Sequence, residues 1–518
     1  MVYLNSLKKK STLLKMAIFA TGFAGIVAEY TLSTLASYFL GNSVFQFTMI
    51  VSLMLFFMGI GSRISKKING NLINKFLYLE LILSVLVSIS SVLVYTIAAF
   101  TDYYGIVIYL LCIAVGLLIG IEIPIVVRIN EEYEELKSNI SSVLEKDYYG
   151  SLLGGVFFGF VGLPILGLTY TPYILGFVNF AVALLLFFSL KNNLEKKRLI
   201  QVLFIGVFAF IGFGAYTASP IIQWGEQQKY ADKIIYSEQT KYQKIVMTQW
   251  QDYYWLYLNN NLQFSSQDEP MYHEPLVHPA MQLHPNPKNI LVLGGGDGCA
   301  ARELLKYDSV ETIDLVDLDP KMTELAMNHP VLTKINNNSF HHEKVNVQNT
   351  DAYLYIEKNK DKFYDIIIID LPDPRSVDLG RMYSYEFYSN CYRKLRPNGV
   401  IITQAGSPYY ATKSFLSIEK TMKAAKFKVA PMHNQVLTMG EWGWILGIKT
   451  NEDISVKNTL RNLTFENVET RWINHDAMQL MTSFGKNFFI SEKDSIEINK
   501  VHNPVVHRYY NKGNWDIY

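Results

Sequence analysis

Apolar and polar residues are distributed very differently in the two parts of this chain of 518 residues. Long uninterrupted apolar runs are confined to the first 217 positions, and each is close to the ~20 residues that a helix needs to cross a bilayer. They predict a multi-pass α-helical membrane domain with about seven hydrophobic segments, at positions 13–38, 44–64, 76–100, 104–129, 150–168, 171–190 and 199–217. The first segment is not a cleavable signal, since six more follow it.

The remainder of the chain has shorter apolar segments separated by polar turns. Segments 234–236, 245–247 and 255–258 have the residue types of hairpin strands, with a turn at Asn259-Asn260-Asn261, and predict a small β subdomain. From Lys288 onward strands alternate with helices, which predicts a parallel sheet with helices on both faces. The predicted strands of that sheet are 289–293, 312–316, 344–347, 364–369 and 399–403.

Together these patterns predict four regions. They are a transmembrane helical domain at 1–220, a small β subdomain at 230–285, an α/β Rossmann-like domain at 286–450 and a C-terminal extension at 451–518. The extension is polar and aromatic, and we interpret it as a packed addition or a cover over the domain or over membrane-facing loops.

A glycine turn with an unusual acid follows the first strand of the α/β region. Its sequence is Gly294-Gly295-Gly296-Asp297-Gly298. Glycines after a buried strand let backbone amides approach a ligand at a helix N-terminus, as in nucleotide-binding βα units. A carboxylate at Asp297 would repel a pyrophosphate and attract a cation. We therefore expect an adenosine compound with a positively charged tail.

Acidic residues follow four of the predicted strands, at the sheet edge where ligands bind in such folds. In chain order they are Asp297, Asp317 with Asp319, Asp351, and Asp370 with Asp373. Asp317 lies 20 residues beyond Asp297, where a carboxylate can hold ribose hydroxyls. Asp319 precedes a proline and is interpreted as a helix cap.

Positions 364–374 carry the strongest local signal in the chain. Four isoleucines predict a strand buried on both faces, and Asp370 and Asp373 follow it in a turn stiffened by prolines. Paired carboxylates suit a dication or an amine. A carboxylate beside an amine can orient it and accept its proton, which contributes about 10² to 10⁴ in rate. A solvated acidic turn is the alternative interpretation.

Composition and cysteine usage exclude several classes of partner. The net charge of +1, without a dense basic run in the second part, gives no reason to expect nucleic acid. Cys112, Cys299 and Cys391 make no disulfide framework, and neither a CxxC pair nor a His/Cys cluster at metal-ligand spacing is present. We predict no metal site.

Several motifs together resemble the spermidine synthase (polyamine aminopropyltransferase) family, in consistent order from about Ile234 to Lys449. They lie at 242–245, 272–274, 294–303, 316–319, 370–374 with 385–388, and 402–404 with 407–408. The N-terminal part is similar to the multi-pass membrane form of this family, through 28–30, 58–62 and 147–150. The resemblance implies a class I methyltransferase-like Rossmann fold and aminopropyl transfer from decarboxylated S-adenosylmethionine to putrescine or a related amine. The products would be spermidine and methylthioadenosine, and no further cofactor is required.

The resemblance also implies the roles of individual residues. The proton acceptor would be Asp370. The substrate-binding residues would be Gln243, Asp317, Asp351 and Ala352 for the adenosine portion, and Tyr272, His273, Asp297, Asp373 and Gln404 for the amine groups and their channel. Leu371 and Pro372 replace the small hydroxyl residues that soluble members carry between the two acids, so the acceptor amine stays open.

Two other functions are kept as alternatives. An S-adenosylmethionine-dependent methyltransferase would share the fold, although Asp297 would repel a donor that keeps its carboxylate. A membrane carrier or sensor for polyamines, with a second part that binds without catalysis, is the other alternative. Assembly into a homo-oligomer is kept open as well.

Basic residues mark one side of the predicted membrane domain, which the positive-inside rule assigns to the cytoplasm. They are Lys8, Lys9, Lys10, Arg63, Lys66, Lys67, Arg128, Lys137, Lys191, Lys196, Lys197 and Arg198. Seven complete crossings would place the catalytic part outside the cell, whereas its nucleoside substrate is made in the cytosol. We therefore expect a multi-pass cell-membrane protein with a cytoplasmic catalytic domain and one miscounted crossing.

Three acids lie within the apolar segments: Glu29, Glu80 and Glu122. Because charge in lipid is costly, each is expected to face the bundle interior or water. A cation path, for polyamines for example, would explain them. Polar contacts between packed helices, or side chains that reach toward an interface, are the alternative explanation, and the one we favour.

Overall fold

The computed structural model describes residues 2–41, 43–191, 194–359, 361–489 and 495–515, with side chains from residue 10 onward. The chain divides into two compact units, Met1–Ile234 and Ile235–Tyr518. Each unit is treated separately below.

The first unit is helical. Its helices are α1 (Val2–Leu40), α2 (Ser43–Ser65), α3 (Leu72–Ser88), α4 (Ser90–Ala98), α5 (Tyr104–Asn130), α6 (Leu136–Phe157), α7 (Gly167–Ser189) and α8 (Lys197–Gln227), with a π-helical segment, Phe158–Leu166, between α6 and α7.

The number of long apolar helices differs from the seven segments predicted. Five helical stretches of the described residues are long and apolar enough to cross a membrane, or six if the bent pair α3 and α4 forms one span. One stretch, Leu136–Ser189, has 54 residues and would extend about 80 Å, far beyond a ~30 Å hydrocarbon core. Gly167 interrupts it with φ 63° and ψ −174°, close to the predicted boundary at 168–171. The predicted segment 76–100 is likewise bent by 42° between α3 and α4.

Polar contacts identify the two ends of the helical unit. At one end Lys15 pairs with Glu134 at 2.6 Å, and Arg128 donates to the carbonyl of Ile68 at 2.8 Å. At the other end, the hydroxyl of Tyr38 donates to Glu226 at 3.2 Å near the end of α8. Helix α8 therefore ends opposite the basic loops, and it continues beyond the predicted segment 199–217 as far as Gln227.

The three acids within the apolar segments face the interior of this unit, as expected. Glu29 is 7% exposed, and Glu80 and Glu122 are fully buried. The hydroxyl of Thr21 on α1 donates to Glu80 on α3 at 3.3 Å, which is a polar contact between packed helices. Neither carboxylate oxygen of Glu122 has a hydrogen-bond partner among the described residues.

The second unit opens with a four-stranded sheet in the order β1 (Lys233–Gln239), β2 (Lys244–Trp250), β3 (Tyr253–Leu258) and β4 (Asn261–Ser265). The first three strands contain the predicted hairpin segments. Asn259 and Asn260 have φ of 48° and 67°, which matches the twist that a tight hairpin requires. The prediction was wrong for Asn261, which begins β4 instead of extending the turn, so that one strand was missed.

A seven-stranded sheet forms the centre of the second unit. Its order is β10 (Lys428–Val436), β11 (Gly440–Ile448), β9 (Leu395–Gly406), β8 (Tyr364–Asp370), β5 (Asn289–Gly294), β6 (Thr312–Asp317) and β7 (Val345–Asn349). Strands β9, β8, β5, β6 and β7 run parallel, and β11 and β10 are antiparallel additions. The chain reverses its direction of strand addition between β5 and β8, which is where doubly wound sheets bind their ligands.

Alternation along the central strands builds a core on each face of this sheet. Ile290 and Val292 of β5 contribute to one hydrophobic cluster, whereas Leu291 and Leu293 contribute to the other. The helices of this unit are α9 (Pro270–Leu283), α10 (Cys299–Leu304), α11 (Pro320–Asn328), α12 (Pro330–Ile335), α13 (Ala352–Lys358), α14 (Val377–Gly380), α15 (Tyr385–Lys394), α16 (Thr412–Ala424), α17 (Val456–Arg461), α18 (His475–Met481) and α19 (Val505–Asn511). The predicted Rossmann-like, methyltransferase-like fold of this part is confirmed.

The C-terminal extension packs on the α/β unit. Leu460, Ile473 and Met478 are buried in one of its two hydrophobic clusters. The carboxylate of Glu274 on α9 is fully buried and accepts three successive backbone N–H groups of the extension, from residues 471, 472 and 473, at 2.6, 2.8 and 2.8 Å. The extension is therefore part of this unit's core, in agreement with its interpretation as a packed addition.

Candidate active site

The ends of β5 and β8 bring the glycine turn against the acidic turn. Gly294 pairs in register with Asp370, and the amide of Gly295 donates to the carbonyl of Asp370 at 3.1 Å. Gly294 has φ +85°, and a Cβ there would lie 2.0 Å from that carbonyl oxygen. Only glycine therefore permits this approach, and the two motifs predicted from sequence form one site.

Three titratable side chains meet at this point. A ring nitrogen of His273 and one carboxylate oxygen each of Asp297 and Asp370 lie within 4.8 Å of one another. The hydroxyl of Tyr272 donates to Oδ1 of Asp370 at 2.7 Å, and Nε2 of His273 lies 3.9 Å from Oδ1 of Asp297. Tyr272 and His273 are neighbours near the start of α9. Four predicted site residues are thus brought together.

Burial and mutual charge set the protonation of these groups. Burial, followed by the negative charge of Asp297, raises the pKa of Asp370 to about 6. Burial alone would lower the pKa of His273, but its hydrogen bond to Glu269 and the charge of Asp297 raise it to about 9. Near neutrality the site therefore holds an ionised Asp370 that protonates more readily than an ordinary aspartate, next to a cationic imidazole.

A buried ion-pair network that sequence reasoning missed supports His273. Nδ1 of His273 lies 2.9 Å from Glu269 Oε2, and both terminal nitrogens of Arg302 donate to the two oxygens of Glu269 at 2.8 Å. Burial opposes ionisation of Glu269, but His273 and Arg302 lower its pKa to about 2. The spacing of Glu269 and His273, four residues apart on one helical face, was the available signal.

Replacing Arg302 by methionine is expected to destabilise the second unit. Removal of Arg302 leaves the carboxylate of Glu269 paired only with His273 among the described residues, and breaking a buried ion pair costs about 3–5 kcal/mol. We expect the melting temperature of this unit to fall by about 6–15 °C, measured by thermal unfolding of the full chain in detergent.

A matched control is Lys321→Met, which removes the partner of Glu324 from a half-exposed ion pair of the same 2.8 Å length. Because such surface pairs contribute about 0–1 kcal/mol, its melting temperature should stay within about 3 °C of the parent. Equal small effects of both substitutions would contradict the structural role of Arg302.

The predicted adenosine end is built around the end of β6. A Cβ at Gly296 would lie 2.6 Å from Oδ2 of Asp317, so this carboxylate sits directly against the glycine turn. Burial is the main cause that raises the pKa of Asp317 to about 7. Gln243 donates to Oδ2 of Asp319 at 3.1 Å, and Oδ1 of Asp319 accepts from the amide of Lys321, which confirms Asp319 as a helix cap.

Asp351 and Ala352 lie at the end of the next strand. Asp351 Oδ1 caps α13 by accepting from the amide of Leu354 at 3.0 Å, and its Oδ2 pairs with Arg381. Ala352 is 5% exposed. The pair between Asp351 and Arg381 was not predicted, because 30 residues separate the two partners.

At the amine end of the site, Asp373 and Gln404 both form hydrogen bonds with neighbouring residues. Asp373 Oδ2 accepts from the hydroxyl of Tyr510 at 2.6 Å and lies 3.2 Å from Nη2 of Arg375. Gln404 donates to the carbonyl of Leu371 at 2.6 Å and accepts from the amide of Gly406 at 2.9 Å. Gln404 therefore stabilises the turn that carries Asp370 and Asp373. Tyr510 is a further residue of the site, and no local sequence pattern predicted it.

This arrangement defines a class of enzyme. The switch point of this α/β sheet carries several carboxylates around a glycine turn, where nucleotide-binding sheets place phosphates. Such a site can hold a cationic nucleoside and take a proton from an amine. The fold and the site together define a nucleoside-dependent group transferase that acts on amines.

Comparisons with known proteins identify the family. Residues 269–459 match the family described as the spermine/spermidine synthase domain. Polyamine aminopropyltransferase 2 of Aquifex aeolicus is 43% identical over 97% of this chain and 99% of its own length. The polyamine aminopropyltransferase of Leptospira interrogans is 37% identical over 97% of this chain and 98% of its own length.

Two solved structures are also similar to half of the chain. A spermidine synthase in complex with the transition-state analogue AdoDATO is 28% identical, with a TM-score of 0.45, over 50% of this chain and 87% of that one. The spermidine synthase of Thermotoga maritima is 27% identical, with a TM-score of 0.43, over 50% of this chain and 86% of its own.

The chain belongs to the polyamine aminopropyltransferase family. It is an enzyme that transfers aminopropyl groups, because its relatives of this name match it over almost its entire length, helical unit included. The predicted family is therefore confirmed, and the methyltransferase and the non-catalytic carrier are no longer needed as explanations.

Proposed function

We propose that this enzyme transfers the aminopropyl group of decarboxylated S-adenosylmethionine to putrescine or a closely related diamine, giving spermidine and methylthioadenosine. The observation that carries the proposal is the meeting of Asp297, Asp370 and His273 within 4.8 Å at the switch point of the sheet. These groups lie where a nucleoside with a cationic tail and an amine would come together.

The reaction is an in-line displacement at carbon. The amine nitrogen attacks the aminopropyl carbon bonded to the sulfonium, the carbon–sulfur bond breaks, and its electron pair neutralises the sulfur. The proton lost by the amine goes to Asp370, whose raised pKa of about 6 makes it a better acceptor than an ordinary aspartate. Since the sulfonium already activates the carbon, the proposal needs no further cofactor.

The carboxylate of Asp297 holds the terminal ammonium of the aminopropyl group in this proposal. His273 has a pKa of about 9 and is cationic near neutrality, so it would repel that ammonium. Its ring nitrogens face Glu269 and Asp297 instead. We therefore assign His273 to the positioning of Asp297 rather than to direct amine binding.

The adenosine portion would lie along the ends of β6 and β7. Asp317, which lies against Gly296, would accept hydrogen bonds from the ribose hydroxyls. Gln243 would lie beside it, held by its hydrogen bond to Asp319. Asp351 and Ala352 would meet the adenine, and the amino group of the base would then compete with Arg381 for Asp351.

The pH dependence of the reaction rate is expected to show the pKa of Asp370. With both substrates well below their KM values and the amine bound as ammonium, the rate requires the unprotonated carboxylate of the free enzyme. Because the pKa is raised to about 6, activity is retained above this pH and falls about tenfold per unit below it. A break near pH 4, where an ordinary aspartate titrates, would contradict the assignment.

The proposed substrates can be tested directly. Detergent-solubilised full-length enzyme is incubated with decarboxylated S-adenosylmethionine and a panel of diamines of different length, and methylthioadenosine release is measured. Amine-dependent release with putrescine or a near homologue supports the proposal. Turnover with intact S-adenosylmethionine, or release independent of any amine, would overturn it.

We further propose that the helical unit lies in the cell membrane, with the catalytic part in the cytoplasm. The length and apolar character of its helices support insertion. The cytoplasmic side is proposed because the donor is a charged nucleoside that does not cross a bilayer unaided. The end of α8 opposite the basic loops argues against this side by the positive-inside rule.

Protease accessibility in sealed vesicles of known orientation tests this sidedness. Cleavage within residues 450–518 only in inside-out vesicles supports a cytoplasmic catalytic part. Cleavage only in right-side-out vesicles would overturn it and would require an external supply of the donor.

A further inference from the structure

The two oxygens of Asp373 have very different surroundings. The side chain is 8% exposed, and its Oδ2 accepts from the hydroxyl of Tyr510 at 2.6 Å and faces Arg375 at 3.2 Å. Its Oδ1 is buried and has no hydrogen-bond partner among the described residues. A buried carboxylate oxygen without a donor is costly, so Oδ1 is available for a cationic donor from a ligand.

Tyr510 is held firmly in this position. It is 3% exposed and lies on α19 of the C-terminal extension. Its ring packs on that of Trp515 with centroids 4.6 Å apart, and the indole N–H of Trp515 donates to the Tyr510 carbonyl at 2.8 Å. The ring also covers Gly406, where a Cβ would lie 3.4 Å from Tyr510 and 3.7 Å from Asp373 Oδ1.

The extension also holds the chain that follows Asp373. The side-chain amide of Asn511 donates to the carbonyl of Arg375 at 3.1 Å, and the side-chain amide of Asn499 donates to the carbonyl of Gly380 at 2.8 Å. Segment 497–515 therefore holds both ends of loop 373–381, which connects the amine end of the site with Arg381 at the adenosine end.

We propose that Tyr510 is a positioning residue of the amine site, so that the C-terminal extension forms one wall of that site. The inference rests on the proposed function. The Tyr510 hydroxyl fixes Oδ2 of Asp373, and Oδ1 receives the ammonium group of the acceptor that does not react.

The physical reason lies in Arg375. A guanidinium prefers to bind both oxygens of a carboxylate through two parallel hydrogen bonds. Tyr510 occupies Oδ2 on one side and Arg375 reaches the same oxygen on the other, which leaves Oδ1 unpaired. Nη1 of Arg375 donates to Asn261, and its Nη2 reaches Asp373. Without the Tyr510 hydroxyl, Asp373 can turn so that Oδ1 faces this Nη2, and the acceptor then loses its counter-ion.

Tyr510→Phe tests the proposal because it keeps the ring that packs on Trp515. We expect the KM for the diamine to rise about tenfold or more, as for a lost hydrogen bond to a charged group. The KM for the donor and the kcat at saturating diamine should change less than about twofold. Activity with a monoamine of the same length, which lacks the second ammonium, should be unchanged.

The matched control is Tyr509→Phe on the same helix, whose hydroxyl accepts from the amide of Glu497 at 3.4 Å and, among the described residues, makes no hydrogen bond to a predicted substrate ligand. It should leave all three kinetic constants unchanged. Equal increases in both KM values for Tyr510→Phe, or equal losses with monoamine and diamine, would show a merely structural role and overturn the inference.

A double-mutant cycle provides the second measurement. If Tyr510 acts through Asp373, then Tyr510→Phe should have no further effect on the diamine KM in an Asp373→Asn background. Additive effects would overturn the inference. Absence of any amine-dependent turnover by the unmodified enzyme would instead refute the proposed function, so the two failures are distinguishable.

Discussion

Asp370→Asn is expected to lower kcat by about 10² to 10⁴, the usual contribution of a positioned proton acceptor. Asparagine has the same shape as aspartate, and its carbonyl oxygen can still accept from the Tyr272 hydroxyl, which Asp370 Oδ1 receives at 2.7 Å. The substitution therefore removes the basic group without disturbing the turn. Methylthioadenosine release in a single turnover, with both substrates bound, measures the chemical step directly.

The control for this substitution is Asp308→Asn, an exposed acid after α10 that lies outside the site. It should leave kcat unchanged. The variant at Asp370 should also lose the fall in activity below about pH 6, because the group that titrates there is absent. A kcat within about threefold of the parent would show that another group takes the proton.

Asp297→Asn is expected to lower kcat/KM for decarboxylated S-adenosylmethionine by about 30- to 1,000-fold. This corresponds to about 2–4 kcal/mol, the range found when one partner of a buried charge pair is removed. The Asn side-chain oxygen can still accept from the amide of Cys299, which Asp297 Oδ1 receives at 2.7 Å, so the glycine turn should keep its shape. Selectivity against intact S-adenosylmethionine should weaken at the same time, since the repelling carboxylate is gone.

Inhibition by the product separates charge recognition from structural damage. Methylthioadenosine has no aminopropyl ammonium, so its inhibition constant should be nearly the same for the Asp297→Asn variant and the parent enzyme. A loss of product binding that parallels the loss of kcat/KM would mean that Asp297 only maintains the turn.

The parts of this site that were predictable are encoded locally. Four isoleucines in a row predicted a strand buried on both faces, and a glycine turn after another such strand placed Asp297 at the same sheet edge as Asp370. Asp319 before a proline indicated a helix cap, and the structure has that cap. In each case a short pattern determined the position of the side chain.

The parts that were not predictable depend on contacts between distant residues. Glu269 meets Arg302 across 33 positions, and Tyr510 meets Asp373 across 137. No periodicity or motif reports such pairs, because they arise only when the elements pack. The count of long apolar helices differed for another reason: the α3–α4 bend interrupts the predicted segment 76–100 in a way that apolar composition alone does not reveal.

The anchoring of the extension by Glu274 has a consequence for how this protein can evolve. The carboxylate recognises three consecutive main-chain N–H groups, which every residue except proline supplies. The anchor itself therefore places no demand on the side chains at 471–473, although Trp472 and Ile473 also pack on the core, whereas a change at Glu274 would remove the acceptor of three N–H groups at once. Sequence divergence in the extension is thus compatible with strict retention of its place in the fold.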